Sequence, residues 1–411
     1  MVRPGRLALP LLWAAAAGAQ EFRVYVGQIG PASVLIAWGK TAGAGNTIGR
    51  ASRSWGKALL RVGDHTVEAA QNNWAEVRGL RPDTVYDYEV AVEGRRIAGG
   101  RVRTWPARAD RLTFFVIGDF GNGSSKQYQV ADAMWKEYQR REAAGDPVRF
   151  VLTVGDNIYA DVNLGYLTLR SGNEDAHWER KFFRPYASLI ARIPFLPTLG
   201  NHDGNATENR GDLAVYLDNF FFPGDRPARW YGFSFGGLAD FFALDSTGNT
   251  ASGAPRPVYD PKGEQFRWVS KALPASRGPW KIPYFHHPPY NAGPGHGASL
   301  EVLRPFADLF RASGVRVVFN GHEHNFQFSE RGEATGNMLF VISGAGGEAR
   351  RGNVIPNMKR AHIAGWAPQR HFLVVEIQGR TMRITPLSYE MVEVRDAGGK
   401  PVAMPLLAVL P

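Results

Sequence analysis

From residue 22 to about residue 105, apolar residues come in short bursts separated by turn-forming residues. RVYVGQI, SVLIAWGK, ALLRVG, TVYDYEVAVEG and RRIAGGRVRTW recur at intervals that predict the strands of a β-sandwich. After residue 111 the pattern changes, and apolar runs alternate with helix-length amphipathic stretches. One such stretch covers Gln127–Ala143 behind the capping pair Ser124-Ser125, and another lies in GEQFRWVSKAL. A third is LEVLRPFADLFRA, where Leu300, Leu303, Phe306, Ala307 and Phe310 share a face. Strand and helix in alternation predict an α/β domain. Between the two regimes, Pro106-Ala107-Arg108-Ala109-Asp110 reads as a linker.

Five apolar runs of the second region stop at the same kind of residue cluster. LTFFVI runs into Gly118-Asp119-Phe120-Gly121, RFVLTV into Gly155-Asp156-Asn157-Ile158-Tyr159, and PFLPTL into Gly200-Asn201-His202-Asp203. KIPYF runs into His286-His287-Pro288-Pro289, and VRVVF into Asn320-Gly321-His322-Glu323-His324. In open α/β sheets the site lies beyond the carboxyl ends of the strands, so one location can collect all five. Singly, each cluster has a bland reading as a turn, a loop or a strand terminator. The histidines argue otherwise. Of ten in the chain, His202, His286, His287, His296, His322 and His324 fall in or beside these clusters. Imidazole is costly to bury unpaired and is the commonest side-chain metal ligand.

Composition narrows the chemistry. The 411 residues include no cysteine, which excludes disulfides, thiolate ligands and a cysteine nucleophile. A metal must then be held by oxygen and imidazole donors, which suit hard or borderline ions. Net charge is +10, yet there is no Lys/Arg block and no basic stripe interleaved with aromatics, so no nucleic-acid partner is expected. Residues 1–19 read as a signal peptide: Arg3 and Arg6 form a basic head, Leu7 to Ala17 an apolar stretch, and Ala17-Gly18-Ala19 a cleavage site. That predicts a secreted or periplasmic protein. The apolar run is too short for a comfortable membrane span and no other segment approaches one, so no membrane partner is expected. Nothing in the sequence speaks to oligomeric state.

The ordered series GDFG, GDNIY, GNHD, FHHPPY and NGHEH resembles the metallophosphoesterase (calcineurin-like) superfamily, and within it the purple acid phosphatases. WYGFSFGGLADFFALDS, GEQFRWVSKAL and VISGAGGE resemble framework segments of the same catalytic domain, and LRPDTVYDYEV resembles the tyrosine corner of fibronectin type III domains. The resemblance implies an α/β (α+β sandwich) catalytic domain over residues 111–411, a smaller all-β fibronectin-like domain over 22–105, and a linker over 106–110. It implies Asp119, Asp156, Tyr159 and His324 as ligands of a first metal, and Asn201, His286 and His322 as ligands of a second, with Asp156 bridging. His286 rather than His287 is the implied ligand, because the family pattern is His-x-Pro. Other metallophosphoesterases carry Asp-x-His at the first strand end, where this chain has Gly121. Tyr159 offers a phenolate instead, which favours Fe(III) beside a second divalent ion, Fe, Zn or Mn.

Two ions lower the pKa of a bound water and neutralise phosphoryl oxygens during in-line attack. The reaction expected is hydrolysis of small phosphate monoesters, with a phosphodiesterase or nucleotide hydrolase of the same superfamily as the alternative. A non-catalytic binding protein is a remote alternative, since no candidate ligand is missing. His202 and His296 are candidates for phosphate contact or acid catalysis. His287 is a candidate for substrate contact or for packing alone. The Gly344–Gly347 stretch reads as a turn after a strand. Two features depart from the family pattern: Asp203 where glutamate is usual, and Pro283 in an apparent strand, which predicts a bulge or an edge.

Overall fold

The N-terminal bursts fold as seven strands: β1 (Phe22–Ile29), β2 (Ser33–Lys40), β3 (Ala58–Val62), β4 (His65–Ala69), β5 (Trp74–Arg78), β6 (Val85–Val92) and β7 (Arg95–Arg103). They form two antiparallel sheets in the orders β1-β2-β5 and β4-β3-β6-β7. The five bursts seen in the sequence are all strands. β4 and β5 escaped because HTVEA and WAEVR are only five residues long and lie at sheet edges. At the corner, the Arg81 amide donates to the Tyr86 hydroxyl at 2.9 Å above the buried Leu80. This all-β region fits a fibronectin type III-like domain. In the computed structural model the described residues are 22–41, 48–50, 52, 54, 56–159, 162–163, 168–169, 178–205, 213–224, 228–247, 260–350 and 352–411. The segment read as a signal peptide lies outside them.

The second region is a pair of mixed sheets. One has the order β12-β9-β8-β20-β21-β22, with β8 (Arg111–Ile117), β9 (Val148–Thr153), β12 (Phe195–Pro197), β20 (Phe372–Gln378), β21 (Thr381–Leu387) and β22 (Leu406–Val409). The other has the order β13-β14-β15-β16-β18-β17-β19. Its strands are β13 (Tyr231–Phe235), β14 (Ala239–Ala243), β15 (Trp280–Tyr284), β16 (Val317–Asn320), β17 (Phe326–Ser329), β18 (Leu339–Ser343) and β19 (Ile363–Ala367). A separate two-stranded hairpin pairs β10 (Val162–Asn163) with β11 (Thr168–Leu169). Within the large sheets, β12, β9 and β8 run parallel, as do β14, β15, β16 and β18. β8 is buried on both faces, so its sequence is a continuous apolar run rather than an alternation. Phe114 and Phe150 stack at 5.2 Å, and both meet Phe241 of the facing sheet edge-on at 5.4 and 5.3 Å. Such contacts fix the two sheets against each other.

The linker is not slack. Trp105 is buried against Phe150, Phe233 and Phe235, and the Ala109 amide donates to the Gly236 carbonyl at 2.9 Å. Tyr25 of β1 packs on Phe182, Phe183 and Phe221, and Arg23 pairs with Glu179 at 2.6 Å. One apolar core therefore runs through both regions.

Two helices match the sequence reading, Ser125–Ala143 and Glu264–Ala275; Ser124 caps the first by accepting from the Gln127 amide at 3.2 Å. The third is corrected. LEVLRPFADLFRA breaks into Leu300–Leu303 and Ala307–Ala312, because Pro305 has no N–H to donate and its ring crowds the carbonyl four residues back. Pro283 is also corrected. It sits in β15, an interior strand with unbroken register against β14, so it marks neither an edge nor a bulge. Its missing N–H falls on the β16 side, where only Tyr284 and Phe319 are paired.

His371 supplies a test of the packing. Its ring is buried edge-on to Phe326, Nδ1 donates to the Gln369 carbonyl at 3.0 Å, and Nε2 has no hydrogen-bond partner among the described residues. Burial holds its imidazole down at about 4. The unfolded chain, with histidine near 6.5, binds the proton more readily, so this contribution is complete above pH ~6.5 and is lost as pH falls toward 4. At ~1.4 kcal/mol per unit it amounts to about 3 kcal/mol. In urea unfolding at stepped pH, the stability difference between wild type and His371→Phe should shrink by that order between pH 6.5 and 4. A difference constant with pH would refute the assignment.

Candidate metal centre

The parallel strands carry the candidate ligands to one place. β8 delivers Asp119, β9 delivers Asp156 and Tyr159, and β12 leads into Asn201 and His202 at the start of a short helix, Asn201–Asn205. From the facing sheet, β15 delivers His286 and His287, and β16 delivers His322 and His324. Asp119, Asp156 and His322 all hold left-handed backbone, with φ of 56°, 51° and 72°. For non-glycine residues that conformation is costly, and it persists only where surroundings enforce it.

The side chains meet in two groups. In one, the Tyr159 hydroxyl lies 3.0 Å from Asp156 Oδ2, 3.2 Å from Asp119 Oδ1 and 3.2 Å from His324 Nε2. In the other, Asn201 Oδ1 lies 3.0 Å from both His286 Nε2 and His322 Nδ1, which are 3.2 Å from each other. Asp156 Oδ2 joins the groups, being 3.4 Å from His286 Nε2. Donors ~2.1 Å from one ion with neighbouring ligands at right angles sit roughly 3 Å apart, so both clusters have the spacing of a coordination shell. The residue pair of the NGHEH motif is thus divided: His322 belongs to one cluster and His324 to the other.

The proton count tests whether cations fit. His286 Nδ1 donates to the Val154 carbonyl at 2.8 Å and must carry a proton. If neutral, its Nε2 then aims a lone pair at Asn201 Oδ1. Around Tyr159 the hydroxyl faces two carboxylate oxygens and His324 Nε2, which itself lies 3.4 Å from Asp119 Oδ1. Both groups gather around two buried carboxylates that favour added positive charge, and the directions of the pKa shifts agree. Burial would lower His286, but Asp156 and Asp119 override it and push the imidazole up to about 9. Burial and the same two carboxylates push the Tyr159 phenol well above its usual range. Burial also raises Asp119. Asp156 is held well below the carboxylate range, because His286 and His202 outweigh its burial. A cation in each group would take over the role of these protons.

Gly121, where other metallophosphoesterases carry a histidine, has no room for a side chain. A Cβ there would lie 1.8 Å from the Asn157 carbonyl oxygen. The same close approach lets the Tyr159 amide donate to the Gly121 carbonyl at 2.9 Å.

The three candidate substrate contacts differ. His202 donates its amide to Asp156 Oδ1 at 2.9 Å and lays its ring 4.4 Å from Tyr159. His296 stacks on His322 at 3.8 Å and remains partly open, its side chain 31% exposed. His287 is more enclosed. Its amide and Nδ1 both engage the Ser246 hydroxyl, at 3.0 and 2.9 Å, and burial with the nearby His286 lowers it to about 3. It also stands close enough to His286 and His322 to share an ion with them.

Several positioning groups were missed from sequence. Asp203 accepts from the amides of Gly200, Asn157 and Ile158 and from Asn157 Nδ2, at 2.8–3.2 Å, so it ties the β9 loop to the β12 loop. Lys181, fully buried, donates to the Tyr159 carbonyl at 2.6 Å. The Gly344–Gly347 stretch is more than a turn: Gly346 donates to Gly118, and Gly347 and Glu348 donate to Asp119, at 2.9–3.1 Å. Backbone-to-backbone contacts of this kind leave little sequence signal.

Residues 112–326 match the family profile described as calcineurin-like phosphoesterase. Among curated proteins the chain is similar to purple acid phosphatase 7 of Arabidopsis thaliana, 28% identical over 285 residues, covering 65% of this chain and 77% of the relative. It is similar also to purple acid phosphatase 17 of the same plant, 29% identical over 269 residues, covering 61% and 73%. Its fold is shared with purple acid phosphatase PPD1 from yellow lupin seeds, with a TM-score of 0.67 at 12% identity, over 94% of this chain and 74% of that one.

The shared oxygen of Asp156 distinguishes it from the other ligands. Asp156→Ala is expected to lose both ions, and turnover is expected to drop ~1000-fold or more, the scale of losing preorganised charge in a dry site. His286→Ala is expected to deplete one ion in preference to the other. Metal analysis of the two purified variants checks both statements; full occupancy in Asp156→Ala would remove it from the site.

Proposed function

The chain belongs to the calcineurin-like phosphoesterase family and is a metal-dependent phosphoric ester hydrolase; from that premise we propose that it is a purple-acid-phosphatase-like enzyme that hydrolyses small phosphate monoesters. The family uses a dinuclear metal centre. We assign Asp119, Asp156, Tyr159 and His324 to Fe(III), and Asn201, His286, His322 and the shared Asp156 to a divalent Fe, Zn or Mn. When bound, the two ions supply Lewis acidity and an activated water as nucleophile. The observation that carries the reading is the Tyr159 hydroxyl, held 3.0–3.2 Å from Asp156, Asp119 and His324.

The chain's own residues do the rest. The left-handed turns at Asp119, Asp156 and His322 hold the donors before any ion arrives. His202 and His296 flank the two clusters with partly open rings and present N–H groups to phosphoryl or leaving-group oxygens. His287, enclosed by Ser246, orients the His286 and His322 rings rather than meeting substrate. Specificity lies in the loops 161–184 and 204–224, much of which falls outside the described residues. Two further assignments complete the reading: residues 22–105 as a fibronectin-like domain joined by 106–110 to a catalytic domain from 111 to the end, and export of the protein by its N-terminal segment. Among the described residues no helix is long and apolar enough to cross a membrane. Intact-mass measurement of exported protein should find an N-terminus near Gln20; retention of Met1 would overturn export.

Substrate class is checked by comparing p-nitrophenyl phosphate with its bis-ester. Monoester turnover is expected to exceed diester turnover by ~100-fold, and the reverse order would make this a phosphodiesterase. The metal assignment is checked by colour. A phenolate on Fe(III) gives a visible charge-transfer band, which Tyr159→Phe should abolish while packing is nearly unchanged. A colourless wild type holding two divalent ions under oxidising conditions would refute the iron assignment and leave the phosphoesterase reading standing.

A further inference from the structure

Glu323 lies between two proposed metal ligands and ligates neither cluster. Its side chain is fully buried, and no lysine or arginine pairs with it among the described residues. Burying a carboxylate this way is expensive unless its oxygens are used. They are used on the loop that follows the His-His-Pro-Pro segment. Glu323 Oε2 accepts from the His296 amide at 2.9 Å and from Asn291 Nδ2 at 3.3 Å, while Oε1 receives Asn325 Nδ2 at 3.4 Å. Asn291 extends the hold by donating to the carbonyls of His296 and Gly297, at 2.9 and 3.4 Å. Gln327 closes the network, donating to Asn291 and Asn325 and accepting from the Ala292 amide, each at 2.9 Å.

The glycine-rich sequence of this loop reflects that contact. A Cβ on Gly293 would lie 2.2 Å from the Glu323 carboxyl carbon, so the loop passes where only glycine fits. The result is specific for one side chain. His296 Nδ1 is buried, has no hydrogen-bond partner among the described residues, and lies 3.7 Å from Glu323 Oε2. The ring is left stacked on His322 at 3.8 Å, at the mouth of the second cluster.

We infer that Glu323 is a positioning residue for the hydrolytic reaction: it fixes the 290–297 loop so that His296 stands over the second metal subsite and meets the phosphate group of the substrate. This rests on the proposed phosphoesterase function. The odd-numbered residues of NGHEHNFQ (Glu323, Asn325, Gln327) hold the substrate-side loop, as His322 and His324 face the ions. A misplacement of about 1 Å at a reacting centre costs ~100-fold in rate, which sets the expected effect.

The test compares Glu323→Ala, Glu323→Gln, His296→Ala and the double variant Glu323→Ala/His296→Ala. Glu323→Ala is expected to lower kcat/KM for p-nitrophenyl phosphate ~10- to 100-fold with both ions and the visible spectrum retained. Glu323→Gln, which keeps an acceptor for the His296 amide, should recover most of the loss. The double variant should be no slower than His296→Ala, because the two residues act as one unit. Hydrogen–deuterium exchange supplies a readout independent of turnover: peptides covering 290–297 should lose protection in Glu323→Ala and keep it in Glu323→Gln. Should Glu323→Ala fail to fold, Asn291→Ala removes a second strut of the same loop and carries the same expectations. Losses that multiply in the double variant, unaltered exchange, or a Gln variant as impaired as the Ala variant would each overturn the inference. A wild type inactive on every phosphate ester would overturn the proposed function instead, and the exchange data would still decide whether Glu323 holds the loop.

Discussion

The structure is organised around a repulsion. Two carboxylates, a phenol, an amide oxygen and three imidazoles point their lone pairs into one small volume, with neighbours only 3.0–3.4 Å apart. The two carboxylates at the centre raise the His286 imidazole against its burial, and burial together with the same carboxylates raises the Tyr159 phenol. A protein keeps such a cluster together only by making every alternative backbone path worse. Three ligands in left-handed turns, fixed by the amides and carbonyls of neighbouring loops, are how this one does so. The strain and the missing charge are two aspects of one arrangement, a cage prepared for cations.

Rigidity has to come from beneath. The loops that carry the ligands are short continuations of parallel strands from two different sheets, so any slip of one sheet over the other would separate Asp119 and Asp156 from His286 and His322. The Phe114, Phe150 and Phe241 rings prevent that slip at the centre. Trp105 extends the same aromatic core to the end of the N-terminal sandwich, packing on Phe150 from outside. The all-β region thereby braces the strand that delivers Asp156 and Tyr159.

Much of this was legible in sequence, and the failures have physical causes. Strand ends announced themselves because a doubly buried strand is an unbroken apolar run, and its ligands follow directly. The third helix was misread because amphipathic spacing survives across Pro305 although the hydrogen-bond ladder does not. Pro283 was misread because sheet position is a tertiary property: a strand with one sparse neighbour tolerates proline in the sheet interior. The positioning residues were hardest. Asp203 looked like a minor exchange for glutamate, yet it gathers three amides and one side-chain donor from two loops, a role set entirely by partners 45–46 residues away or by the turn at Gly200.

The NGHEHNFQ segment shows how one stretch of chain can carry two functions without conflict. A left-handed turn at His322 and two tight backbone bonds, from the Glu323 amide to the Gly321 carbonyl and from the Asn325 amide to the Glu323 carbonyl, send successive side chains in different directions. Even positions His322 and His324 reach different donor clusters, and odd positions Glu323, Asn325 and Gln327 form the network that holds the loop bearing His296. The two donor clusters and the loop bearing His296 are thus held from one bent segment. A shift that displaced the two histidines from their clusters would also release the loop, so neither can drift while the other stays in place. That coupling explains why an enclosed, costly carboxylate sits between two imidazoles: at this position a smaller or apolar side chain would preserve the cage and leave His296 without a fixed place above it.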